Sequence, residues 1–285
     1  MKAFLGMGLL GANFVKALLK KGDSFHVWNR TEAKAKELEA FGARSFSNPA
    51  EAVKGADMIH LTLKDDASVD DVLNQALPGL STGAIIVDHT TTSREGAISR
   101  TKYWKEKGFT YQHAPVFMGP VNALESTGYM LVSGDQAVIE KIKPELTKMT
   151  GDLVNFGAEV GKAAAMKLIG NAFLVCFTTG IGDTLTLAKA LGVSSDEVSA
   201  LFSSWNPGSQ TQSRLKRIAD ANFENPSWTL EMARKDTGLF IAAAKKASLH
   251  FNLIPSIANV MDQWIKKGHK ANDWMVITHQ LTEAG

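Results

Sequence analysis

FLGMGLLGANFVKALLKKG, residues 4–22, decides how this chain reads. A short apolar strand runs into Gly6-x-Gly8-x-x-Gly11, and a helical pattern follows. Each glycine has a separate physical task. Gly6 allows a tight turn, Gly8 lets the backbone approach a pyrophosphate, and Gly11 lets the helix pack closely on the strand. Unpaired N–H groups at the helix start, together with the helix dipole, favour phosphate oxygens. A lone glycine fingerprint is weak evidence, but here a strand precedes it, a helix follows, and a second strand comes next.

Working outward, the first 150 or so residues alternate β-rich and amphipathic runs. FHVW (25–28), MIHLTL (58–63), AIIVDH (84–89), TYQHAPV (110–116) and YMLVSG (129–134) read as strands. TEAKAKELEAFG, DASVDDVLNQALPGL, REGAISRTKYWKEKG and DQAVIEKIKPELTKMTG read as helices. That alternation predicts βαβ units and a mainly parallel, doubly wound sheet. After residue 157 strand signals almost vanish and helical spacing takes over, with stops at Gly or Asn-Pro and openings such as Ser194-Ser195-Asp196-Glu197. The expected class is therefore α/β: a Rossmann domain over 1–157, then an all-α domain over 158–285.

The end of the second strand selects the cofactor. An NAD site normally carries Asp or Glu there, roughly 20 residues after the glycine loop, to bond the ribose hydroxyls. This chain has Trp28-Asn29-Arg30-Thr31. Arg30 offers a planar fork to a phosphate, and Thr31 and Lys34 can add to it. The expectation is NADP(H) over NAD(H), with Gly6, Met7, Gly8, Leu9, Leu10, Gly11, Asn29, Arg30, Thr31 and Lys34 around the cofactor. The alternative is a solvated helix start. The missing acid also counts against S-adenosylmethionine in the same loop.

Composition narrows the classes. The chain has 285 residues, 45% hydrophobic and 21% charged, with net charge +2 and no long basic run. Nothing here argues for nucleic acid or a membrane surface. One cysteine, Cys176, excludes an intrachain disulfide and fits a reducing, cytoplasmic setting. It reads as inert core. The N-terminus lacks a signal-peptide layout, and the histidines show no metal-ligand spacing, so no metal is expected.

GKAAAMKLIGNAFLVCF, residues 161–177, opens the helical half. Residues 163–181 are long and apolar enough to raise the question of a membrane span. Lys167, Asn171, Thr178, Thr179 and several glycines speak against one. A helix buried on all sides, in a domain or subunit interface, is the expectation. Lys167 and Asn171 stand at i and i+4, so they share a face.

At this point the sequence resembles the β-hydroxyacid dehydrogenase family, which includes 3-hydroxyisobutyrate dehydrogenase and the glyoxylate/succinic semialdehyde reductases. The likeness spans the chain. GMGLLGANFVKALL matches GLGxMGxxMAxNL, VWNRT matches NADP-preferring members, VDHTTTS matches a DxST strand end, and HAPVFMG matches a DAPVSGG substrate loop. GKAAAMKLIGNAF matches the GxGxxxKxxxN catalytic helix, and RKD at 234–236 a C-terminal KD motif. The resemblance implies that Lys167 is the catalytic lysine and Asn171 the asparagine beside it. It implies that Thr91 lies near the nicotinamide ribose, that Leu63 and Lys64 line the nicotinamide, and that Lys235 closes over cofactor and substrate. Phe117, Met118 and Gly119 fall on the substrate loop. It also implies a homodimer or homotetramer formed through the helical domain.

Several positions depart from the family. Phe117 replaces a serine that helps hold the substrate carboxylate and has no side-chain donor, although a backbone N–H in the loop could serve. Gly170 replaces the asparagine before Asn171. Arg94 replaces a proline and reads as an anion contact or a surface charge. His113 replaces an aspartate and reads as a strand-end residue bonded to a neighbour.

Hydride transfer to a carbonyl needs a nicotinamide held against the carbon, a donor at the oxygen, and exclusion of water. Lys167 can polarise the carbonyl and supply the proton, and Asn171 can orient substrate or lysine. The expected activity is NADPH-dependent reduction of a small aldehyde acid, of the glyoxylate or succinic semialdehyde type, to a hydroxy acid. An imine or atypical carbonyl reductase of the same fold is the alternative, although such enzymes usually lack the lysine. A non-catalytic NADPH-binding sensor is a third reading.

Overall fold

The computed structural model describes residues 1–281. The chain divides into two compact units, Met1–Ala172 and Phe173 onward.

The first unit starts with β1 (Lys2–Leu5), α1 (Leu9–Lys20), β2 (Phe25–Trp28), α2 (Glu32–Lys36), β3 (Arg44–Phe46) and α3 (Pro49–Val53). It continues with β4 (Met58–Leu61), α4 (Asp66–Ala76), β5 (Ile85–Asp88), α5 (Arg94–Glu106) and β6 (Thr110–His113). These six strands form one parallel sheet in the order β3-β2-β1-β4-β5-β6. That is the order of a dinucleotide-binding Rossmann sheet, whose ligands sit outside the carboxyl ends where the order reverses. Here the reversal lies between β1 and β4, where Leu5 pairs with Leu61.

Strand periodicity builds the core on both faces. Phe4 joins Phe14, Val27, Val87 and Met130 in one cluster. Its neighbours Ala3 and Leu5 join Ile59, Leu61, Ile86 and Trp104 in the other. Each large side chain buried in this way contributes about 1.5–3 kcal/mol. Asn48, Asp65, Ser93 and Asp135 accept backbone N–H bonds at helix starts, which fixes where those helices begin.

A smaller sheet follows: β7 (Val116–Phe117), α6 (Pro120–Glu125), β8 (Tyr129–Val132), α7 (Gln136–Leu146) and β9 (Asp152–Asn155). β8 pairs antiparallel with β7 and parallel with β9. The stretch 110–116, expected as one strand, thus splits between two sheets at Ala114-Pro115. Pro115 has no N–H to continue a ladder, but its carbonyl accepts from Leu131 N at 2.8 Å. β3, β9, α3 and α6 carry too little apolar pattern to be read from sequence. The helix expected over TEAKAKELEAFG divides into α2 and a 3-10 turn, Glu37–Phe41.

α8 (Lys162–Leu191) begins in the first unit and continues into the second. Ala163, Ala164 and Lys167 are buried, and Ser133 Oγ accepts from Ala163 N at 2.9 Å. This anchoring puts the first turns of α8 with the α/β unit, so the division by contacts falls inside the helix, between Ala172 and Phe173. α9 (Ser195–Ser204), α10 (Thr211–Ala219), α11 (Leu230–Lys246) and α12 (Ile254–Lys266) complete the second unit, with a 3-10 segment from Trp274. No strand follows Asn155 among the described residues; a single bridge joins Thr229 and Asp273. Phe223, Leu230, Met261, Trp264 and Met275 form its core.

The expectation that the apolar run of α8 is buried on all sides does not hold within one chain. Phe173, Leu174, Val175 and Phe177 stand more than half exposed, and Cys176 is exposed too, not inert core. α8 is the one helix among the described residues long and apolar enough to cross a membrane, a test that buried helices of soluble proteins also pass.

Candidate active site

The glycine loop follows β1 at the sheet's reversal point. Gly6 has φ +99°, and a Cβ there would overlap the Thr62 carbonyl oxygen. A Cβ on Gly11 would overlap the Gly6 carbonyl oxygen and lie 2.5 Å from Thr62 Oγ1. Gly8 has nothing within 4 Å of its missing side chain. The first and third glycines are thus required by packing, and the middle one faces free space where a ligand backbone can approach. Gly8 is the N-cap of α1, whose first turn has no acidic residue, so an anion there meets N–H groups and a favourable dipole.

Asn29 locks this loop to the end of β2. Its Oδ1 accepts from Met7 N at 2.9 Å and its Nδ2 donates to the Thr31 carbonyl at 2.9 Å. Both ends of Asn29 are therefore engaged in shaping the site. Thr62 Oγ1 donates to the Gly6 carbonyl at 3.0 Å from the other side. Gly6, Gly8, Asn29, Arg30, Thr31, Lys34, Leu63 and Lys64 then line one cleft of about 440 Å³. Arg30 and Lys34 are exposed on it, and no side-chain partner engages either among the described residues. The one carboxylate in the lining, Asp71 on α4, accepts from Gln75 Nε2 at 2.9 Å. Of the other loop residues, Met7 is buried, Leu10 packs on the core and Leu9 is 78% exposed.

The ends of β4 and β5 are tied together beside the cleft. Leu63 N donates to Thr90 Oγ1 at 2.9 Å, and Thr90 N donates to Asp88 Oδ1 at 2.8 Å. Tyr111 OH donates to Asp88 Oδ2 at 2.6 Å and accepts from Arg100 Nε at 3.1 Å. Arg100 is buried and pairs with Asp66 and Asp70. Burial pushes the Tyr111 hydroxyl well up, and Asp88 beside it pushes further, so Tyr111 stays a donor. This network holds the loop that carries Thr91, which itself is exposed.

Lys167 is 8% exposed. Its Nζ donates to Asn171 Oδ1 at 3.0 Å and lies 4.2 Å from the centre of the Phe117 ring. No carboxylate pairs with it among the described residues. Burial therefore holds its pKa below the ordinary lysine value of 10.5. In the substrate loop, Met118 packs against the core, and Gly119 N donates to Asn122 Oδ1 at 2.9 Å. Of the loop's backbone N–H groups, that of Gly119 is thus already engaged.

Family models match nearly the whole chain. Residues 2–157 match the NAD binding domain of 6-phosphogluconate dehydrogenase, and residues 161–281 match the NAD-binding domain of NADP-dependent 3-hydroxyisobutyrate dehydrogenase. The chain belongs to the 3-hydroxyisobutyrate dehydrogenase family. It is 26% identical over 284 residues to 3-sulfolactaldehyde reductase of Escherichia coli, covering 98% of this chain and 95% of the relative. It is 33% identical over 193 residues to glyoxylate/succinic semialdehyde reductase 2 of Arabidopsis thaliana, covering 67% and 54%. Among solved structures, an imine reductase from Myxococcus stipitatus in complex with NADP+ superposes with a TM-score of 0.89 at 23% identity, covering 99% of each chain. That likeness shows the shared fold. The chain is an NAD(P)-dependent oxidoreductase with a Rossmann domain and a helical domain.

As a 3-hydroxyisobutyrate dehydrogenase family member, it gathers its sequence-read residues in two places of the first unit. The glycine loop shares the cleft with the Asn29–Lys34 segment and Leu63-Lys64, and Lys167 and Asn171 meet Phe117. Lys235 lies in the second unit on α11, exposed and paired with Asp236 Oδ1 at 2.9 Å. Arg94 pairs with Glu159 at 2.9 Å, a surface ion pair. His113 Nε2 bonds the Thr90 carbonyl at 2.8 Å, as a strand-end residue. Thr62, Asp88, Thr90 and Tyr111 were not singled out from sequence. Asp88 sits inside the DHTT stretch that marks the strand end, and only tertiary contact shows what it holds. His60 and His89 stack across β4 and β5, with Nδ1 of the first 3.0 Å from Nε2 of the second. Burial pushes His89 down to about 4, so the pair is neutral core. Among the described residues no group of three or more His, Cys, Asp or Glu side chains could hold a metal.

Proposed function

We propose that this chain is an NADPH-dependent reductase that converts a small aldehyde acid, of the glyoxylate or succinic semialdehyde type, into the hydroxy acid. The observation that carries the reading is Lys167: a buried lysine with no carboxylate partner among the described residues, hydrogen-bonded to Asn171 on its own helix face. Such a group is costly to bury and is suited to donate to an oxygen that gains negative charge.

The bound nicotinamide supplies the hydride. The chain's own residues do the rest. Gly8 and the start of α1 receive the pyrophosphate, and Asn29 and Thr62 fix the loop in that shape. Arg30, with Lys34 beside it, receives a 2′-phosphate, since the end of β2 has no acid to accept ribose hydroxyls. Lys167 donates a proton to the carbonyl oxygen and Asn171 holds its ammonium in place. The names of the plant and bacterial relatives, both aldehyde reductases, support this substrate class. A second reading, an imine or atypical carbonyl reductase, draws support from the apolar Phe117 face. On either reading α8 meets a second copy of the chain, in a homodimer or homotetramer.

The cofactor assignment is tested by Arg30→Ala. Losing a charge-assisted phosphate contact of about 1.5–3 kcal/mol raises the KM for NADPH roughly tenfold or more and leaves that for NADH nearly unchanged. A wild type that prefers NADH contradicts the assignment.

A further inference from the structure

Two positions at which this chain departs from its family's motifs touch each other. Phe117 stands in the substrate loop and Gly170 stands on α8 just before Asn171. The Phe117 ring lies directly on Gly170. A Cβ at position 170 would overlap the ring tip and lie 2.8 Å from Cε1 and 3.2 Å from Cε2. Any side chain there displaces the ring. The same ring lies 4.2 Å from Lys167 Nζ, well inside cation–π range.

An ammonium has three N–H groups. Asn171 Oδ1 takes one at 3.0 Å, and the ring face takes another. One remains. In the substrate loop Phe117 has no side-chain donor, and the Gly119 N–H is given to Asn122.

We propose that Phe117, seated on Gly170, is a positioning and specificity-determining residue that leaves Lys167 a single N–H for the substrate. The site then takes an aldehyde whose acid group is separated from the carbonyl by methylenes, and discriminates against one whose carboxylate adjoins it. An adjoining carboxylate sets two acceptor oxygens side by side, and chelating both needs two donors. An intervening methylene chain instead lies against the ring. This inference rests on Lys167 acting in carbonyl reduction.

The test uses full-length Phe117→Ser, Gly170→Asn and the Phe117→Ser/Gly170→Asn double variant. Each is assayed for NADPH-dependent reduction of succinic semialdehyde and of glyoxylate, with thermal melting to confirm folding. Wild type is expected to favour succinic semialdehyde by about tenfold or more in kcat/KM. Gly170→Asn alone loses activity because the ring has nowhere to go. The double variant recovers about tenfold over it, a coupling of the size that contacting residues show. Phe117→Ser narrows the preference toward glyoxylate and moves the midpoint of the kcat–pH profile. Additive effects of the two substitutions, or a wild type that prefers glyoxylate, overturn this inference alone. If Gly170→Asn does not fold, an unchanged preference and pH midpoint in Phe117→Ser overturn it equally. Absence of turnover with every carbonyl overturns the reductase reading, and this inference with it.

Discussion

Lys167 is where the chemistry and the physical cost of this site meet. Burial lowers its pKa because water no longer solvates the ammonium, and no carboxylate among the described residues replaces that water. In the proposed reaction the lysine is the acid, so reduction needs its protonated form. The kcat for reduction is therefore expected to fall as pH rises through a midpoint below 10.5. Oxidation of the hydroxy acid needs the neutral amine, and its kcat rises over the same window. A reduction profile that stays flat up to 10.5 contradicts the assignment. The lysine and its asparagine were singled out through the resemblance of GKAAAMKLIGNAF to the family's catalytic helix, and their i, i+4 spacing added that they share a face. The Phe117–Gly170 contact was not legible, since it joins residues far apart in the chain and depends on ring position. Arg30 was legible for a similar local reason: it stands at a strand end in a fixed register from the glycine loop.

At the scale of elements, one aspartate holds much of the second unit together. Asp183 on α8 is buried and accepts from the N–H groups of Asn252, Leu253 and Ile254 at 2.7–3.1 Å. Leu253 and Ile254 open α12, so Asp183 caps a helix from outside it. Asp183→Ala leaves these donors unpaired and is expected to lower stability by about 2–3 kcal/mol, with Asp183→Asn recovering part of the loss. Chemical denaturation followed by circular dichroism checks this, and an unchanged midpoint contradicts it. Local caps such as Ser194 with Glu197 were readable from sequence, because donor and acceptor lie three residues apart. Asp183 was not, because its partners are some 70 residues away. The strands fared the same way. β1, β2, β4 and β5 carry dense apolar runs, whereas β3 and β9 are partly exposed along their length and owe their form to sheet neighbours.

For the whole molecule, the α/β-then-helical order was legible because sequence periodicity changes near residue 157. The fate of α8 was not, because an apolar helix looks the same whether its own chain or another covers it. Exposed Phe173, Val175 and Phe177 make a surface that a lone soluble chain seldom keeps uncovered. A detergent-free sample is expected to sediment as a dimer or tetramer. A monomer, or a chain that stays in solution only with detergent, contradicts that. The central claim is that Lys167 is the proton donor of an NADPH-dependent carbonyl reductase. It is tested most directly by comparing wild type and Lys167→Ala for NADPH binding and for NADPH oxidation with succinic semialdehyde. The expected result is unchanged NADPH affinity and a kcat lowered by about 10²–10⁴; an unchanged kcat would contradict the account.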